Sequence, residues 1–374
     1  MAGAFKGDSL FSNFPIDLTL LFMGISIPLI LINFIKKGHR LEREAIVFIL
    51  LFLLLASFVL FSVIYAKPQY YGLDKALRLL LINGWIIAAP LMFMKEESFR
   101  RLGYFIVFFT TAASISFIFT YITTSGIVLT AFGENYQDLS ANIAVAVPFL
   151  YWYLIDRNSR IPMRAAAFVI LFLLVFTLIL STGRTGTIIV SIVLILMPLF
   201  LLWRKKLSFR SFGVFLIILL ILLSLVILFE PQFVNPIFDR FQAIEENSRW
   251  ELFTKAAQLW ELNPLVGIGS GGFSLYYPDL LYPHNIFLEV LSEQGLLGCF
   301  LLIALLGFTI YSFLTRLRDK YLSISMPVLF AFFSSLFWAL VSGDLARNKL
   351  LFFFCSLMVT YVCLIREKAK DCVA

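Results

Sequence analysis

Two arginines and a histidine are the groups in this sequence best equipped for chemistry. They are Arg184 in STGRTG, Arg249 in ENSRW and His284 in LYPHNIFLEV. A guanidinium stays charged and presents a planar fork that fits phosphate or carboxylate oxygens. An imidazole titrates near neutral pH and can take or give a proton. His284 is one of two histidines in 374 residues, and it sits where polar chain gives way to an apolar run. Each of the three also has a structural reading. Arg184 can snorkel at the end of a span, with the Ser, Thr and Gly around it packing helices. Arg249 can pair with Glu245 or Glu246, and His284 can be a satisfied interfacial residue. The residues alone leave both readings open. Arg78 and the Asp344/Arg347 pair are weaker candidates, for which ion pairing is the favoured reading.

The elements that must position these groups follow from composition. Apolar residues make up 61% of the chain and charged residues 14%, and the mean hydropathy is +0.93. Soluble domains carry about 25% charged residues. With many long apolar runs, this predicts an all-α polytopic integral membrane protein. Eleven spans are expected, at 16–35, 45–65, 76–94, 103–121, 141–155, 165–180, 187–203, 212–229, 296–314, 324–341 and 350–364. The fifth is short, so the expected number is eleven to twelve. The chain reads as a single membrane domain, 1–374, and no secretory signal fits its first residues.

Lys and Arg cluster at 36–43, 95–101, 157–164, 204–210, 316–320 and 366–370. All six clusters fall on one side of the eleven-span arrangement. The positive-inside rule makes that side cytoplasmic, with the N-terminus outside and the C-terminus inside. Because the basic residues are dispersed over six helix ends, the net charge of +7 reports topology, and nucleic acid is not an expected partner. The four cysteines, at 299, 355, 363 and 372, lie in spans or the tail, so no disulfide framework is implied.

One connection is long. Residues 230–284, between the eighth and ninth spans, form a loop expected to face the periplasm. Long connections are usually functional or separately structured. Inside it, Ser248 and Glu251 make a capping-box pattern, and Trp250, Phe253, Ala257 and Trp260 recur at helical spacing up to Pro264. Arg249 then lies just inside a helix start, where a cation costs roughly 0.3–1 kcal/mol unless an anion is bound there. The glycine run 267–273, GIGSGGF, lacks the strand and βαβ unit of a dinucleotide fingerprint. It suits close approach of backbone to a ligand or a neighbouring helix. Arg184, Arg249 and His284 all fall on the outer side in this topology.

Three ordered blocks, LSTGRTGTIIVSIV, SRWELFTKAAQLWELNPLVGIGSGGF and YPHNIFLEVLSEQGLLGCFLLIAL, resemble those of the O-antigen ligase and polymerase superfamily. The three blocks lie in order within residues 180–305, and the N-terminal half is similar only in character. It implies a membrane enzyme of the bacterial inner membrane that uses a polyprenyl-diphosphate-linked glycan. Two arginines and a periplasmic histidine essential in such ligases fall on Arg184, Arg249 and His284. The implied donor is an undecaprenyl-diphosphate-linked O-polysaccharide, and the implied acceptor is a sugar hydroxyl of lipid A-core. Arg184 and Arg249 would then neutralise the departing diphosphate, and His284 would deprotonate the acceptor, with Pro283 and Asn285 fixing the ring. In a variant, His284 only orients the acceptor and Glu289 or another carboxylate is the base. One outer histidine and no tight carboxylate cluster lead us to expect no metal and no cofactor. A polymerase, which joins carrier-linked repeat units, is the alternative. A flippase for lipid-linked oligosaccharide is expected to show mid-membrane charges and a two-fold repeat, and neither is apparent in the sequence.

Overall fold

The computed structural model describes residues 18–37, 41–67, 70–93, 95–123, 130–131, 134–155, 161–181, 183–204, 213, 224, 248–278, 281–317 and 321–371. The chain is an all-α polytopic membrane protein. Its helices are α1 (Leu18–Lys37), α2 (Arg43–Tyr65), α3 (Tyr70–Arg78), α4 (Gly84–Phe93), α5 (Glu96–Thr123), α6 (Tyr136–Ile155), α7 (Ile161–Leu180), α8 (Arg184–Trp203), α9 (Ser248–Leu262), α10 (Gly272–Tyr276), α11 (Ile286–Thr315), α12 (Leu322–Ala339) and α13 (Lys349–Asp371). A π-helical turn, Leu79–Asn83, joins α3 to α4. A two-residue hairpin, Thr130–Ala131 against Glu134–Asn135, precedes α6.

Among the described residues, seven helices are long and apolar enough to cross a membrane, and Met23–Ile32 and Ile324–Ala339 are shorter apolar helices. Ten of the eleven expected spans fall on described helices. Of the eighth, 212–229, all but Gly213 and Ser224 lie outside the described residues, as do the loop residues 230–247.

The described chain forms two compact units. One contains residues 1–20 and 100–246, and the other 21–99 and 247–374. In the first, α6 packs on α7 and α8. Every residue of α6 from Leu139 to Leu150 is buried, and small residues (Ser140, Ala141, Ala144, Ala146) fill much of that stretch. Small side chains let helix backbones approach where there is no water to drive association.

In the second unit, α2 packs on α11 and α13. Its buried residues, Ala45, Phe48, Phe52, Leu55, Ala56, Val59 and Ser62, recur at three- and four-residue steps. Leu50, Leu54, Phe61 and Ile64 point outwards and are exposed. In a soluble protein such a face would be a liability. On a lipid-facing helix it is the expected surface.

The long apolar helix α11 is broken. Gly295 has φ 64° and ψ −163°, so the ladder fails there. The break frees backbone groups that cannot be left unpaired away from water. The glycine-rich segment pairs them. Ile268 N–H donates to Ser292 O (3.0 Å) and Gly269 N–H to Glu293 O (2.8 Å). In return Leu296 N–H donates to Pro264 O (2.9 Å) and Leu297 N–H to Leu265 O (3.1 Å). Gly267 and Gly269 both have positive φ, and a Cβ on either would run into the backbone of α11 or of α2. The close approach expected of the glycine run is therefore made to neighbouring helices.

Helix α9 is present, but its inward face is turned from the expected one. Leu252, Ala256 and Leu259 form a buried cluster with Phe273, and Phe253 packs beside it. Trp250 is 72% exposed. The sequence offers two adjacent apolar stripes at helical spacing, and the packing of Phe273, Ile268, Tyr277 and Leu288 against one of them selects it.

Candidate functional site

Arg184 is the first residue of α8, which begins three residues earlier than the apolar run does. Its place is fixed by the small residues around it. Gly183 is the N-cap, and Gly186 follows in the first turn. A Cβ at either glycine would collide with Ser140 of α6. The STGRTG segment thus presses the start of α8 onto α6 and leaves Arg184 at a helix N-terminus. Gly186→Ala is expected to lower the detergent melting temperature. The gain in helix propensity is at most about 1 kcal/mol, whereas overpacking costs about 1–3 kcal/mol. An unchanged or raised melting temperature would show that this contact has slack.

Arg249 is the second residue of α9. It too lies in the first turn of a helix, where amides without intrahelical partners point outwards. Glu245 and Glu246, its alternative partners, are outside the described residues.

His284 ends the aromatic stretch and precedes α11. It is the one non-glycine residue with positive φ (56°) among the described residues. Histidine is tolerated there more readily than most residues, but such a conformation persists only where its surroundings impose it. The next residue supplies the anchor. Asn285 caps α11, its Oδ1 accepting from Phe287 N–H (3.0 Å) and Leu288 N–H (3.1 Å). Its Nδ2 donates to Leu340 O (3.0 Å). The half-buried imidazole lies edge-on to Tyr282, with ring centres 4.6 Å apart.

Tyr282 in turn has Arg347 over its ring, 5.9 Å from the centroid. Burial pushes its hydroxyl above the usual phenol range, while Arg347 pulls the other way. Tyr282 therefore stays a protonated donor at neutral pH. Two further cations sit on tyrosines of the same stretch, Lys67 over Tyr276 (4.8 Å) and Lys255 over Tyr277 (4.7 Å). The segment before His284 is thus a row of aromatic faces and positive charges.

The weaker candidates are paired. Arg78 makes an ion pair with Asp74 one turn away on α3. Arg347 Nε lies 3.7 Å from Asp344 Oδ2, and Arg347 N–H donates to Asp344 Oδ1 (2.6 Å). Tyr71 donates to Asp344 Oδ2 (2.9 Å).

Glu289 is fully buried. It forms an ion pair with Lys75 of α3, and both its oxygens accept from Leu345 N–H, at 3.0 and 3.2 Å. Lys75 Nζ also reaches Glu293 Oε2 at 2.5 Å, and that oxygen accepts from Gly271 N–H (2.9 Å). All three charged side chains are fully buried. The apolar runs place no charge in the middle of a span, yet these groups belong to Tyr70–Met92 and Ile286–Thr315, both long and apolar enough to cross. The apolar runs start at 76 and 296, just past these charges. The usable signal was two carboxylates four residues apart on one helix face, a pair that needs a cation when buried.

Among the described residues, no three His, Cys, Asp or Glu side chains come together as a metal site. Arg184 belongs to the first compact unit, and Arg249 and His284 to the second.

No curated protein matches the chain. Residues 169–303 match the family model described as O-antigen ligase, a stretch that contains Arg184, Arg249 and His284. That match makes the segment similar to the O-antigen ligase family and supports a ligase- or polymerase-type role in membrane glycan assembly.

Proposed function

We propose that this protein is an inner-membrane glycosyltransferase that moves O-polysaccharide from undecaprenyl diphosphate to a sugar hydroxyl of lipid A-core, on the periplasmic side. The reading is carried by one observation. Within the matched segment, all three reactive residues stand at the N-terminal ends of helices: Arg184 opens α8, Arg249 is second in α9, and His284 precedes the cap of α11. Unpaired amides and the helix dipole favour an anion at such ends. A guanidinium placed there without one is mildly unfavourable, so the two arginines are best explained by a bound diphosphate. Their forks would neutralise charge on the leaving group as the anomeric bond breaks, with no metal required.

The acceptor hydroxyl attacks the anomeric carbon, and His284 takes its proton. We assign this proton transfer to His284 because Glu289 is buried with both oxygens already engaged. The tyrosine and cation row before His284 suits a sugar chain that carries negative charge.

Deleting the gene tests the acceptor. Full-length O-chains stranded on undecaprenyl diphosphate, with bare core on lipid A, are expected. Single repeat units attached to the core would replace this reading with the polymerase.

A further inference from the structure

The Lys75 cluster lies beside the residues that hold His284. Its link to the site runs through the 340–348 connection between α12 and α13. Asn285 grips the start of that connection at Leu340 O. Asn83 of the π-helical turn donates to Ala346 O (3.0 Å), and Tyr71 donates to Asp344. The tie from α11 to the returning half of the connection is Glu289, which takes Leu345 N–H on both oxygens. Two residues on, Arg347 lies over Tyr282, and Tyr282 packs on His284.

We propose that Glu289, held by Lys75, is a positioning residue for His284: it fixes the 344–347 stretch against α11, and that stretch seats Tyr282 beside the imidazole. This inference rests on the reading of His284 as the proton-accepting group. The geometry behind it does not depend on which glycan is transferred. A buried carboxylate is costly unless paired and hydrogen-bonded. Here the lysine removes that cost and leaves the carboxylate free to accept from the backbone.

The test reads His284 directly. His39 is the only other histidine, so His39→Asn in a chain with a histidine-free affinity tag leaves one imidazole. Its reaction with diethyl pyrocarbonate is followed by absorbance in detergent. Two uncharged clusters are compared in that background. One is Lys75→Met with Glu289→Gln and Glu293→Gln, which keeps an acceptor for Leu345 N–H. The other differs only in Glu289→Met, which removes it. The first should react within about twofold of the His39→Asn parent, and the second should differ from it by at least about threefold, because a loose supporting contact displaces the group it holds. Equal rates in the two would overturn the proposal. So would failure of either to give monodisperse protein, since the inference assigns the contact to placement and not to folding. The readout needs no substrate, so it stands if the transfer reaction proves to be another one. Loss of transfer activity in His284 variants with the reactivity pattern absent would sink this inference alone.

Discussion

Asparagine in place of His284 should lower the rate of transfer by about 10²–10⁴-fold, the usual contribution of a positioned general base. Asparagine is the right replacement because position 284 has a left-handed backbone. Alanine there would add backbone strain to the chemical loss, whereas asparagine, like histidine, is enriched in that conformation. The Asn285 cap and its bond to Leu340 O should survive, so membrane level and melting temperature should stay close to wild type. The measurement is turnover of carrier-linked polysaccharide onto lipid A-core in detergent, with excess chelator present throughout. Wild-type activity should persist under chelation. A variant with normal turnover would remove His284 from the reaction. Loss of wild-type activity on chelation, restored by a divalent cation, would require a metal in it.

The second large effect is expected from Lys75→Met alone. It leaves Glu289 and Glu293 buried without their cation. Breaking a buried pair on one side costs about 3–5 kcal/mol, a large share of the roughly 5–15 kcal/mol that holds a domain together. The melting temperature in detergent should fall sharply and much of the protein should aggregate. Neutralising both glutamates to glutamine in the same chain should restore most of it. An unchanged melting temperature in the single variant would mean that the carboxylates are not held as charged groups.

Helix positions were legible because they rest on local information. Apolar runs placed ten of the eleven expected spans on described helices, whereas the residues around Arg184, Arg249 and His284 left a structural and a chemical reading open, and the family resemblance chose between them. What escaped were features set by distant partners. Lys75 meets Glu293 across 218 positions of sequence, and no local pattern joins them. The inward face of α9 lies about one residue round from the apolar stripe of Trp250, Phe253, Ala257 and Trp260, because Phe273, Ile268, Tyr277 and Leu288 pack against the neighbouring stripe. The break at Gly295 was half visible. The expected span began at 296, just beyond it, and the residues between the expected loop and that span are also helix. The fit of the glycine run to that break depends on backbone pairing, to which side-chain patterns are blind.

The same pairing decides how His284 can move. A kink at glycine is commonly a hinge, but this one is latched by four backbone hydrogen bonds to the 264–269 segment. At about 0.5–1.5 kcal/mol each, swivelling the first part of α11 about Gly295 costs enough to make the bent state rare. The short helical piece behind His284 is therefore a strut. The imidazole travels only as far as the whole block of α9, the glycine segment and α11 travels with it. On the proposed reading, an incoming substrate would meet a fixed post, and any adjustment needed for reaction would fall to the substrate.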